Sequence, residues 1–303
     1  MVSVMKKKLR IAILGMSEGN GHPYSWSAIF NGYNPEVMKG CPFLAIPEYL
    51  SQQKFPQDSI QDGEVTHVWT QDKELSKHVA AACYIPNVVN GYQEMIGHVD
   101  AVLLARDDAE NHFEMSKSFL EANLPIYIDK PIATKLTDLE KIYSIERYNG
   151  QIFSCSALKY AKEFKLSEQD REVIGEIKYL DACVMKSWDR YAVHVIDPIL
   201  DILGNQGEVL NVSVAKSEDQ RVVTVKWQSN VQATITTLGS IQCPIVIRVF
   251  GTKGMKELRF VDTFSAFKKT LEVFVASVKN CTVAVERERL KQVVRIVEEG
   301  NCG

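Results

Sequence analysis

Apolar runs that alternate with helix-patterned segments constrain this chain most. "LRIAILG", "EVTHVWTQD", "VDAVLLARDD", "LPIYIDK" and "QIFSCSAL" read as strands, with helical spacing between them. Strands that stay apolar on both faces belong to covered sheets. Strand–helix alternation through the first half of a chain predicts a parallel, doubly wound α/β sheet. "YSWSAIFNGY" predicts a helix stopped near Gly32, and "LTDLEKIYSIERYNG" one with Thr137 as a candidate N-cap and Gly150 as its stop. Residues 33–63, rich in Pro, Gly and polar side chains, read as an excursion holding one short helix.

Beyond residue 158 the pattern changes. A helix over about 161–173 precedes a long strand, "EIKYLDACVMKSW", and a helix, "YAVHVIDPILDILG". Strands follow in succession: "EVLNVSVAK", "RVVTVKWQ", "VQATITTLG", "PIVIRVFG" and "MKELRFV", the second and third joined by a hairpin-like "QSN". Helices over 264–279 and 284–299 close the chain. The expected organisation is a parallel α/β domain over 1–157 and an α+β domain with a mainly antiparallel sheet over 158–303.

Composition narrows the class. Of 303 residues, 46% are hydrophobic and 24% charged, ordinary for a soluble two-domain protein. A net charge of −3 without a basic stripe argues against a nucleic-acid partner, and the run Lys6–Arg10 reads as a solvated entry to the first strand. Cys41, Cys83, Cys155, Cys183, Cys243, Cys281 and Cys302 are scattered, odd in number and without a C-x-x-C pair. That argues against a disulfide framework or structural zinc and predicts a reducing, cytoplasmic location. No apolar run approaches the roughly 20 residues that span a bilayer, so no membrane partner is expected. No signal-peptide pattern opens the sequence.

Chemistry-bearing residues gather at the ends of the expected strands. Gly15, Ser17, Gly19 and Gly21 form a glycine-rich turn between the first strand and the first helix. Backbone approach and a helix N-terminus suit a dinucleotide pyrophosphate there, although the G-x-G-x-x-G spacing is absent. His22 follows, then an unusual "PYSW". At the next strand end, where a ribose-binding acid usually sits, stands Thr70, with Asp72 two residues on; Asp72 reads more readily as a helix N-cap. Arg106, Asp107 and Asp108 follow another strand, at the carboxyl edge where open α/β sheets bind ligands; a solvated loop with Asp108 as a cap would carry the same residues. Asp129-Lys130-Pro131 ends "LPIYI", and the proline disfavours helix at Lys130. Lys159 and Tyr160 fall near the expected domain seam. His194 and Asp197 share a helical face, or else Asp197 caps a helix that starts at Pro198.

The order of these features resembles the glucose–fructose oxidoreductase / inositol dehydrogenase (Gfo/Idh/MocA) family over nearly the whole chain. Asp129-Lys130-Pro131 resembles its E-K-P signature. Val99–Leu120, with His112, resembles the segment before it, and His194…Asp197 resembles its G-x-H-x-x-D helix, with Ala192 for the glycine. The resemblance implies a Rossmann domain binding NAD or NADP through Gly15, Ser17, Gly19, Gly21, His22, Thr70, Asp72, Arg106, Asp107, Asp129 and Lys130. It implies hydride transfer at a carbinol of a sugar, sugar derivative, cyclitol or related polyol. Lys130 would polarise the reacting oxygen and His194 move its proton, which suits a group with a near-neutral pKa. Substrate would meet Lys159, Tyr160, Arg190, His194 and Asp197. Four residues before His194 the family often has an acid; here that position is Arg190, with Asp189 one residue off as the alternative catalytic acid. A catalytically silent dinucleotide-binding sensor on the same fold is the other reading. The sheet face of the second domain predicts a homodimer or homotetramer.

Overall fold

The computed structural model describes residues 7–302; Lys6, the first residue of the basic run, lies outside them. Six strands form one sheet: β1 (Leu9–Leu14), β2 (Gly63–Trp69), β3 (Asn87–Val88), β4 (Ala101–Leu104), β5 (Ile126–Ile128) and β6 (Ile152–Phe153). Their order is β3-β2-β1-β4-β5-β6 and every pair is parallel. This is the doubly wound order, with its switch between β1 and β4. Residues 11–14 and 101–104 are fully buried, which explains why these strands read as unbroken apolar runs.

The helices of this half are α1 (His22–Asn31), α2 (Pro35–Met38), α3 (Ala45–Ser51), α4 (Lys73–Ala82), α5 (His112–Glu121) and α6 (Leu136–Ser144). The 33–63 excursion holds two short helices, not one. It has a packing purpose: α1 is buried from Pro23 to Phe30, and a Cβ at Gly21 would overlap Phe43 and Ile46 of the excursion. Thr137 falls inside α6 rather than capping it, and Gly150 turns the chain into β6 with φ +88°.

The second sheet contains β7 (Ile177–Val184), β8 (Val209–Ser217), β9 (Gln220–Trp227), β10 (Gln232–Thr237), β11 (Val246–Gly251) and β12 (Met255–Arg259), ordered β12-β11-β7-β10-β9-β8. All pairs are antiparallel except β7–β10. Period-two alternation decides its faces. Val223, Val225 and Trp227 are buried, while Val222 on the opposite face is 40% exposed. Leu180, Ala182, Ile235 and Val249 join that buried face. They share a core with Ile196, Ile199, Val293 and Val297 of the helices α9 (Val193–Leu203) and α11 (Arg287–Asn301). The expected helix over 161–173 shortens to α7 (Glu168–Ile174), which is closed by a Ser167–Asp170 capping box. The remaining helices are α8 (Trp188–Tyr191) and α10 (Thr263–Asn280).

The chain divides into two compact units, and not by a single cut at 157/158. Unit 1 is 1–129, 140–154 and 270–286; unit 2 is 130–139, 155–269 and 287–303. Residues 270–286 join the first unit because Phe274 lies against Tyr127 and Phe153, with ring centroids 5.8 and 5.5 Å away.

Candidate active site

In unit 1 the carboxyl ends of β1, β4 and β5 carry the predicted groups. Gly15 and Gly19 adopt φ of +83° and +77°. A Cβ at Gly15 would overlap the Arg106 methylenes, whereas the space over Gly19 is open for 4 Å. Arg106 forms an ion pair with Asp108. Burial works to raise the Asp108 pKa, but the bonds and charge of Arg106, with Asn111, hold it below the usual carboxylate range. His112 fixes this loop from beneath, its Nε2 donating to the Arg106 carbonyl at 2.8 Å. Ser17 donates to Asp107 at 2.5 Å and accepts the Asp107 N–H at 3.1 Å.

Asp129, fully buried at the end of β5, accepts from Asn20 at 2.8 Å and meets His22 Nδ1 at 2.6 Å. His22 stacks on Trp26, and Trp26 on Tyr127, with centroids 4.6 and 4.8 Å apart. The "HPYSW" stretch therefore builds an aromatic stack that holds the histidine on the carboxylate. Asn20 does not stand out in the sequence, because a third-glycine position gives no hint of such a partner.

At the end of β2, Thr70 is buried. Its hydroxyl donates to the Asp72 carbonyl at 2.6 Å and lies 2.9 Å from Ser76 Oγ. Asp72 caps α4, accepting from Glu74 and Leu75 N–H at 2.8 and 3.2 Å.

In unit 2 a different set converges on the Tyr191 ring. Lys130, 4% exposed, places Nζ 5.3 Å from the ring centroid. The His194 ring meets it edge-on at 5.2 Å. His194 Nδ1 lies 2.9 Å from Ser156 Oγ, which also accepts the Leu158 N–H at 3.2 Å. Asp197 is inside α9 rather than capping it. Its carboxylate accepts the Ser156 N–H at 2.6 Å and lies 3.5 Å from Arg289 Nε. Pro198, within the same helix, has no N–H to give the His194 carbonyl.

Asp189 is not brought to His194: neither it nor Arg190 makes a side-chain hydrogen bond or ion pair among the described residues. A serine hydroxyl stands behind the imidazole. Lys159 and Tyr160 pair with each other as cation and ring at 5.4 Å. Burial, then Cys155, Asp197 and Asp201, carry the Tyr160 hydroxyl pKa well up, with Arg289 opposing. Ser156, Tyr191, Lys186 and Arg289 escape a reading of the sequence, since none lies in a motif.

Residues 45–156 match the model of the GFO_IDH_MocA family, described as an oxidoreductase family with an NAD-binding Rossmann fold. Over that stretch the chain is similar to the Gfo/Idh/MocA family. The match begins beyond the glycine turn, where the fingerprint is degraded. Among solved structures, the chain is similar to myo-inositol 2-dehydrogenase from Lactobacillus plantarum, at 14% identity and TM-score 0.75, covering 98% of this chain and 97% of that one. It is also similar to scyllo-inositol dehydrogenase from Lactobacillus casei with bound NAD(H) and scyllo-inositol, at 14% identity and TM-score 0.73, covering 97% of each chain. UDP-N-acetylglucosamine 3-dehydrogenase from Acidithiobacillus ferrooxidans matches at 12% identity and TM-score 0.71, covering 98% of this chain and 97% of that one. These likenesses show the fold. A search of curated protein sequences returned no match.

The residues of this parallel sheet's carboxyl edge fit the dinucleotide that the description of the matched family names. Two left-handed glycines make a turn without Cβ atoms, open above Gly19, with a guanidinium beside it. Each carboxylate at that edge has a protein partner: Ser17 for Asp107, Arg106 for Asp108, Asn20 and His22 for Asp129. Among the described residues no helix is long and apolar enough to cross a membrane.

Proposed function

We propose that this protein is a member of the Gfo/Idh/MocA family and an NAD(P)-dependent dehydrogenase or reductase acting on a carbinol of a sugar, sugar derivative, cyclitol or related polyol. The convergence of Lys130 and His194 on one side chain, Tyr191, carries the proposal. The glycine turn and Arg106 would hold the dinucleotide's phosphates, and a bound nicotinamide supplies the hydride acceptor or donor. As a carbinol is oxidised, its O–H bond breaks and the proton passes to the His194 imidazole. The Lys130 ammonium stabilises the oxygen while it carries negative charge. Ser156 holds the imidazole in register through Nδ1. Cytoplasmic residence fits seven free thiols.

The open face of the second sheet supports a homodimer or homotetramer. It exposes Val222 and Met255 at 40 and 45%, beside Arg248 paired to Asp181 at 2.5 Å. Val222→Asp should then lower the molar mass measured by light scattering; an unchanged mass would place any interface elsewhere.

The deciding experiment is a fluorescence titration with NAD(H) and NADP(H), followed by a polyol and sugar screen read at about 340 nm, where reduced nicotinamide absorbs. Lys130→Ala and His194→Ala should each lose at least ~10²-fold in turnover, and His194→Ala should keep dinucleotide affinity. Full turnover in both variants would sink the assignment. Dinucleotide binding without turnover on any substrate would favour a sensor.

A further inference from the structure

We propose that the Tyr191 hydroxyl, set in place by Lys186, is a further catalytic donor to the reacting oxygen of the substrate. This rests on the dehydrogenase reading above.

Tyr191 is the last residue of α8 and is half-buried. Three functional groups surround its ring: Lys186 Nζ at 4.3 Å from the centroid, Lys130 Nζ at 5.3 Å, and the His194 ring at 5.2 Å with a 66° interplanar angle. Lys186 also hydrogen-bonds the Tyr191 hydroxyl. An ammonium can only donate, so Lys186 occupies a lone pair and leaves the phenolic hydrogen to be given elsewhere. Among the described residues no side chain or carbonyl accepts it. A donor on the ring that Lys130 and His194 both meet is placed to stabilise an alkoxide or carbonyl oxygen as its charge grows.

The backbone at Lys186 is the second, independent observation. Its φ is +64°, a left-handed conformation that a lysine adopts only at an energetic cost. Two backbone bonds to Gly239 enforce it: Lys186 N–H to the Gly239 carbonyl at 2.7 Å, and Gly239 N–H to the Lys186 carbonyl at 3.2 Å. Gly239 is itself left-handed, at φ +55°, and a Cβ there would overlap the Asp219 carboxylate. A glycine at 186 would make the same turn without strain. The chain instead keeps a long cationic side chain at the strained position, where it reaches Tyr191.

The test uses the full chain with NAD and NADP and three probes: myo-inositol, scyllo-inositol and UDP-N-acetylglucosamine. With the probe turned over fastest, Tyr191→Phe should lower kcat by about 10²-fold with little change in KM. Lys186→Met should match it, Lys186→Arg should recover part, and the double variant should fall no further than either single one. A Tyr191→Phe enzyme with wild-type kcat overturns the proposal, as does a double variant whose losses multiply. NMR of the protein labelled at tyrosine Cζ gives a readout apart from turnover. The Tyr191 signal, identified by its loss in Tyr191→Phe, should shift when a probe is added; a signal unmoved by all three overturns the assignment. Failure of the dehydrogenase reading shows differently, as dinucleotide binding with no turnover in the wild type.

Discussion

Two turns meet the same geometric demand with opposite residues. After β1 the backbone enters the left-handed region at Gly15 and Gly19; after β7 it does so at Lys186. Glycine takes that conformation without strain, while a residue with a Cβ loses roughly 1–2 kcal/mol. In the first turn the missing side chains are the point, because Arg106 lies against Gly15 and the space over Gly19 is open. In the second the side chain is the point, because the Lys186 ammonium meets Tyr191. Where a neighbouring side chain or open space lies against backbone the chain uses glycine; where a charge must be aimed it tolerates strain.

That contrast can be broken by substitution. The largest effect is expected at Gly15→Ala, where the new Cβ meets both a left-handed φ and the Arg106 methylenes. Stability should fall by about 2–3 kcal/mol in urea titration and dinucleotide affinity with it. Gly19→Ala, with nothing within 4 Å, should cost only about 1 kcal/mol. Equal losses at the two positions would show that Arg106 is not held over Gly15.

Next in size is the Arg106–Asp108 pair. Because the folded-state pKa of Asp108 is lowered, the pair's stabilisation is complete above the unfolded value of about pH 4 and is lost as pH falls through the lower folded value. Arg106→Met should therefore remove about 1–2 kcal/mol at neutral pH and flatten the acid limb of the stability curve. A curve parallel to wild type would mean the carboxylate keeps its low pKa without the arginine. Smallest is Lys186→Gly, expected to raise stability by about 1 kcal/mol while turnover drops. A variant that gains nothing would remove the strain from the account.

Legibility in the sequence divides along the same line. The parallel sheet can be read because residues 11–14 and 101–104 are covered on both faces and so are apolar without interruption. The strand ends are legible because charge after an apolar run is conspicuous: Arg106, Asp107, Asp129 and Lys130 all stand out that way. Ser156 and Tyr191 do not, since a serine whose hydroxyl meets His194 38 residues further along has no local signature. Asp197 passes for a cap in the sequence because Pro198 normally opens a helix, whereas here α9 has already begun at Val193. The second helix of the excursion is hidden because Pro35 and Pro47 read as breakers, although Pro35 opens α2 under an Asn34 cap.

The interleaving of the two units has a consequence for biosynthesis. The aromatic cluster of Tyr127 and Phe153 is completed by Phe274, and unit 1 draws on residues up to 286. A ribosome delivers the chain from its N-terminus, and domains generally fold as units in that order. Here the first sheet can pair its strands early but waits for its last aromatic partner until Phe274 has emerged, long after β6. Release of the chain before residue 274 would thus leave Tyr127 and Phe153 without that partner, and the nascent protein is vulnerable to aggregation over the interval between β6 and Phe274.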